Sequence, residues 1–163
     1  MPDNKTREAA AKDKRQGKSA STQAGEYVDE VIKHVRQGKH GARSAAQVIA
    51  IGLSEARRAG VKVPVKKAAS QAVRKRAADD EAASHRRTKP SVKRSRASID
   101  ALKKEGHRAA SKSALSEHAK KSAAKRTAGS RSAAAKKAAR TKGASGRAAA
   151  AKKAAKTRAS KQH

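Results

Sequence analysis

Lysine pairs recur at a fixed interval toward the C-terminal end of this chain. Ala119-Lys120-Lys121, Ala135-Lys136-Lys137 and Ala151-Lys152-Lys153 stand sixteen residues apart, and Arg131 and Arg147 keep the same offset. The 46 residues from His118 to His163 hold fifteen Lys or Arg, no Asp or Glu, and no side chain more apolar than alanine. Cationic groups at that density do one piece of chemistry well: they neutralise a polyanion and release its counterions. The expected partner is the phosphate backbone of DNA, with RNA second. The expected phosphate contacts are Lys120, Lys121, Lys125, Arg126, Arg131, Lys136, Lys137, Arg140, Arg147, Lys152, Lys153, Lys156 and Arg158.

Other chemistries find weaker footing. His34, His40, His85, His107, His118 and His163 read as scattered, without carboxylate or cysteine partners at ligand spacing, so no metal site and no catalytic residue is expected. Gly38-Lys39-His40-Gly41 lacks the spacing and the preceding strand of a phosphate-binding loop, and no serine sits in a nucleophile elbow. The chain is therefore expected not to be an enzyme and to need no cofactor. Tyr27 is the one aromatic residue, too few for a base-stacking platform. Sequence-specific reading is a rival: a helix carrying Gln47, Ala50, Ser54, Arg57 and Arg58 could enter a major groove, but its exposed face is mostly alanine.

The elements that must position these residues are limited by composition. The chain has 43 basic and 13 acidic residues, a net charge of +30 over 163 positions. Residues 1–64 carry 13 Lys or Arg against 7 acids, 65–117 carry 15 against 6, and 118–163 carry 15 against none. Val, Ile and Leu number sixteen and Phe is absent, which excludes one large globular domain. Cysteine is absent, which removes disulfides and thiolate chemistry. No stretch resembles a signal peptide or a membrane span, so a soluble protein of the cytoplasm and nucleoid, with no membrane partner, is expected.

Four segments follow. Residues 1–21 are polar, mixed in charge and without an apolar face, and read as a flexible leader. Residues 22–64 carry a helical hairpin. Val28, Val31, Ile32 and Val35 fall at i, i+3, i+4 and i+7 and end at Gly38; Ser44 and Gln47 form a capping-box pattern, after which Ala45, Val48, Ile49, Gly52, Leu53 and Ala56 keep one face to Gly60. A hairpin with so few large side chains is marginal alone, so self-association, a protein partner or contact with the central region is expected. The candidate partner surface is Val28, Val31, Ile32, Val35, Val48, Ile49 and Leu53. Residues 65–117 are basic helical segments. Helix is expected over 65–83 with Val65, Ala69, Ala72 and Val73 on one side, a linker over 85–90, and helices over 91–105 and 113–126. Asp79-Asp80-Glu81 opposes the dipole of the first of these and is a candidate to pair with the basic arm. Residues 118–163 form the Lys/Ala-rich arm, interrupted by Gly129, Gly143 and Gly146. Lysine repulsion opposes helix there, so coil that becomes helical on phosphate is expected. The fold class is thus small and all-α, with a hairpin, further marginal helices and a largely disordered or conditionally helical arm.

The residues His34 to Ser44 followed by Gln47 to Pro64 resemble a motif of small basic bacterial DNA-binding or histone-like proteins of largely uncharacterised function. Lys93 to Gly106 is similar to segments that accompany that motif. The arm resembles the Lys/Ala-rich tails of linker histones and bacterial histone-like proteins, without their Lys-Pro steps. The resemblance implies a nucleoid-associated DNA-binding protein of little sequence preference. The alternatives are a protein-interaction or assembly module tethered to nucleic acid, and an RNA- or ribosome-associated basic protein.

Overall fold

The computed structural model describes residues 2–66, 69–86 and 91–160, and all regular structure among them is helical. The chain divides into two compact units, a head of residues 1–118 and an arm of residues 119–163.

Three helices build the centre of the head: α1 (Asn4–Arg15), α2 (Ala20–Arg36) and α3 (Ala45–Arg58). Their ends are set by local chemistry. Ser19 Oγ accepts from the Thr22 N–H at 3.3 Å and Ser44 Oγ from the Gln47 N–H at 3.2 Å, satisfying donors that a helix start leaves open. Gln47 Oε1 accepts from the Arg43 N–H at 2.8 Å, so the expected reciprocal cap reaches one residue further back than a standard capping box. The C-terminal ends share one device. Gly17, Gly38 and Gly60 adopt positive φ (69°, 76° and 88°), and the next residue donates back into the last turn, as Val61 N does to Ala56 O at 3.0 Å.

The expected hairpin of α2 and α3 forms, and it buries its own apolar face. Val31, Val35 and Val48 are 1%, 0% and 0% exposed and pack with Ala42, Ala109 and Ala110. This corrects the partner surface read from sequence: those three valines are interior, while Val28, Ile32, Ile49 and Leu53 are half-buried. The cover comes from the central region, where a 3₁₀ turn, Arg108–Ala110, brings Ala109 and Ala110 onto the valines. Arg36 Nε donates to the Ala110 carbonyl at 2.8 Å and fixes that contact. A second cluster, Ala10, Ala24, Tyr27, Ala56 and Val61, lies under α1. Most of the expected leader is thus helical and packed on the hairpin. Ala10 packs in that cluster, and the buried Asp13 carboxylate takes the Lys18 ammonium across the α1–α2 turn. Alanine alone gives no periodic signal on α1, which is why the pattern was invisible.

The remaining head elements are α4 (Gln71–Ser84), α5 (Val92–Lys103) and α6 (Lys112–Ala124), the last running across the boundary between the two units. α4 starts later than expected, at the Ser70 cap, and Val65 precedes it. The residues it buries are Ala77 and Asp80, not Ala72 or Val73. Asp80 receives the Arg58 Nε–H at 2.8 Å, so this member of the acidic cluster serves α3 instead of the arm. Residues 87–90 of the expected linker lie outside the described residues. α5 occupies the expected span, and the turn after it docks on the loop between α2 and α3. Gly41 N donates to Leu102 O at 2.9 Å, Ala42 N to Gly106 O at 3.0 Å, and Arg43 pairs with Glu105 at 3.0 Å.

Close approach of backbones is the means by which this small core closes. A Cβ on Gly52 would lie 2.6 Å from Val28 Cα, inside any permitted contact. Gly52→Ala must therefore push α3 off α2, and urea unfolding is expected to show a loss of about 1–3 kcal/mol. An unchanged midpoint would mean that α2 and α3 do not pack at that distance.

Candidate nucleic-acid interface

The arm contains the end of α6 and a long helix, α7 (Ala128–Ala159). Alanine and lysine favour helix, and Thr127 supplies the N-cap, its Oγ1 accepting from the Ser130 N–H at 3.2 Å. One residue interrupts α7. Gly143, at φ 66° and ψ 173°, stands in a region that only glycine enters freely, and it divides the helix in two. Of the three glycines expected to interrupt the arm, Gly129 and Gly146 are absorbed into helix and only Gly143 makes a joint.

The sixteen-residue period is carried into the hydrogen bonds. Arg131 Nη1 donates to Ala123 O at 3.5 Å and Arg147 Nη1 to Ala139 O at 2.7 Å, each reaching back eight residues across a joint. Thr141 Oγ1 donates to Lys137 O and Thr157 Oγ1 to Lys153 O, both at 3.0 Å. Cations placed over open carbonyls at a helix end are favourable. Arg131 and Arg147 therefore hold the joints with one nitrogen and keep their other donors free.

All thirteen basic residues assigned to phosphate from sequence are exposed, and among the described residues of the arm none is buried. The period places them more regularly than the lysine pairs alone suggested. Arg131, Lys136, Lys137, Arg140 and Lys142 are each matched sixteen residues on by Arg147, Lys152, Lys153, Lys156 and Arg158. Lys142 was missed in the sequence reading, and its offset from Arg158 is the signal that finds it. At about 100° per residue, Arg131 and Lys142 lie within about 20° of each other, while Lys136, Arg140 and Lys137 fan over about 100° on the opposite side. Each half of α7 thus carries charge on two opposed faces. Ala133, Lys136, Lys137 and Arg140 line an open concavity between side chains.

The head offers no comparable surface from the residues considered for base reading. Gln47 Oε1 accepts from the Arg43 N–H and Arg58 Nε donates to Asp80, so one polar atom of each is held within the head. Tyr27 is buried in the second cluster, where loss of solvent raises its pKa. The histidines need a correction: His34 has carboxylate company. Glu30 stands one helical turn before it and Asp3 approaches from the start of α1, with His34 Nε2 3.8 Å and 3.7 Å from their nearest oxygens. The i, i+4 relation of Glu30 and His34 was legible; the arrival of Asp3 depends on α1 packing.

A family model described as a family of unknown function (DUF6496) matches residues 12–67. That span takes in the end of α1, all of α2 and α3, and the residues just after them, and stops short of the arm. No curated protein and no solved structure matches the chain. Among the described residues no helix is long and apolar enough to cross a membrane.

The joint at Gly143 is open to test. Alanine there is more favourable in helix by about 1 kcal/mol and strained at positive φ, so Gly143→Ala should fuse the two halves of α7. Circular dichroism at 222 nm is expected to deepen. A weaker helical signal would show that contacts other than the glycine fix the joint.

Proposed function

We propose that this protein is a non-enzymatic, sequence-nonspecific DNA-binding protein of the histone-like, nucleoid-associated kind, acting by phosphate neutralisation through its arm. The observation that carries this reading is the two-faced, sixteen-residue array of exposed cations in a segment with no carboxylate of its own. Each half of α7 is about 22 Å long, enough to lie along several base-pair steps. A backbone bound to one basic face leaves the other free to engage a second duplex, which favours bridging over simple coating. The joints at residues 125–127 and Gly143 let successive helices change direction as the groove turns.

The head would contribute stability and placement. Its interior valines argue against the assembly reading in its original form, since they are not offered to a partner; exposed apolar side chains lie instead on α4 and α5, at Val73, Val92 and Ile99 (50%, 64% and 46% exposed). Recognition of RNA by base stacking has no support, because the one aromatic residue is interior. Electrostatic contact with structured RNA uses the same array and is separated by competition.

Unrelated duplexes titrated across a salt series test the proposal. With about −0.9 in log–log slope per phosphate neutralised, an array of this size should give a slope on the order of −10, the same for each sequence. A chain ending at Ala124, which keeps α6 whole, should lose at least about a hundredfold in affinity at fixed salt. A shallow slope, a preferred duplex, or affinity retained in the shortened chain would overturn the assignment to the arm, and preferential competition by structured RNA would overturn the assignment to DNA.

A further inference from the structure

Outside the arm, the most demanding chemical environment is the contact between the start of α1 and the middle of α2. Glu30 is 5% exposed on α2. Its Oε1 accepts from the Asp3 backbone N–H at 2.7 Å, while its Oε2 is buried with no hydrogen-bond partner. A carboxylate withdrawn from water and left with an open oxygen is costly unless a cation meets it. Among the described residues no Lys or Arg does so. The nearest lysine in sequence, Lys33, is turned to Asp29 at 2.7 Å.

What does face Glu30 is a set of further ligands. His34 Nε2 lies 3.8 Å from Glu30 Oε1 and 3.7 Å from Asp3 Oδ2, beyond hydrogen-bonding distance from either. One donor atom from each of Asp3, Glu30 and His34 falls within 4.8 Å of the other two. An ion bound at about 2.0–2.2 Å holds its ligands about 3.0–3.5 Å apart, so the two His34 distances need close by only a few tenths of an ångström, while the carboxylate oxygens, within 4.8 Å of each other, come together by about an ångström or less through side-chain rotation of the exposed Asp3. Glu55 of α3 feels the same negative surroundings: burial raises its carboxyl pKa, and the charges of Glu30 and Asp3 raise it further against the opposing charge of Arg58.

We propose that Asp3, Glu30 and His34 form a binding site for a divalent transition-metal ion, with Zn²⁺ the preferred probe, that fastens α1 to the hairpin. An imidazole nitrogen with two carboxylate oxygens suits borderline ions such as Zn²⁺ or Mn²⁺ over Mg²⁺, which prefers oxygen and retains its waters. Three protein ligands leave positions for water. The role is structural, since the ion joins a residue that precedes α1 to two on α2, and its binding energy adds to folding.

The test uses the full chain stripped of metal with a chelator and titrated with ZnCl₂ by calorimetry, with MgCl₂ in parallel. One equivalent of Zn²⁺ should bind, the melting temperature should rise with it, and Mg²⁺ should bind at least tenfold more weakly. His34→Gln should weaken Zn²⁺ binding at least tenfold, while His118→Gln, on α6, should leave it unchanged. Glu30→Gln keeps the side-chain volume, removes the unmet charge and should raise the melting temperature of the metal-free chain while abolishing the Zn²⁺ response. Equal binding by wild type and His34→Gln, absence of a stoichiometric site, or a metal-free Glu30→Gln chain that melts lower than wild type would overturn the proposal.

Discussion

The distance between α2 and α3 governs the head. With sixteen Val, Ile and Leu in the chain and no Phe, apolar area is gained by bringing backbones together and not by filling space with large side chains. Gly52 against Val28 Cα permits that approach, and alanines at 24, 42, 45, 56, 109 and 110 keep the gap narrow elsewhere. Gly41 does the same for the connecting loop: a Cβ there would strike the Glu105 carbonyl. A core made this way has little tolerance for added volume.

Three of the head's acids are paired where it packs. Asp13 takes Lys18 across the turn after α1, Asp80 of α4 takes Arg58 of α3, and Glu105 takes Arg43 between two loops. The arm has no such recourse, because its segment contains no acid. Its cations face solvent on opposed sides of α7, and its helices rest on local bonds, caps and two arginine-held joints alone. A helix without tertiary burial is marginal in water, so an external polyanion is what can stabilise this one. The two units therefore obey different physics: tertiary burial in one, local helix propensity and unneutralised charge in the other.

This difference decides what the sequence disclosed. α2 and α3 were legible because Val28, Val31, Ile32 and Val35 mark a face and Ser44, Gly38 and Gly60 mark ends. α1 was not, since alanine is neutral in any apolar pattern and Asp3 makes no side-chain cap. The onset of α4 was misplaced because Val65, Ala69, Ala72 and Val73 fall on one side, whereas the Ser70 hydroxyl caps a helix that starts at Gln71 and buries Ala77 and Asp80. In the arm the repeat was visible from its lysine pairs, but the choice of joint was not: glycine is tolerated inside an alanine-rich helix, and only Gly143 leaves the helical region. Asp3 beside Glu30 and His34 depends on the docking of α1, a tertiary fact beyond periodicity.

The central claim is that the arm, and not the head, meets the polyanion. Amide hydrogen exchange on the full chain, free and saturated with duplex DNA at moderate salt, tests it most directly. The account predicts weak protection over residues 119–160 in the free chain, slowed by at least about tenfold on DNA, with α2 and α3 unchanged. Protection gained along α3 while the arm exchanges as before would contradict it and return the contact to the hairpin.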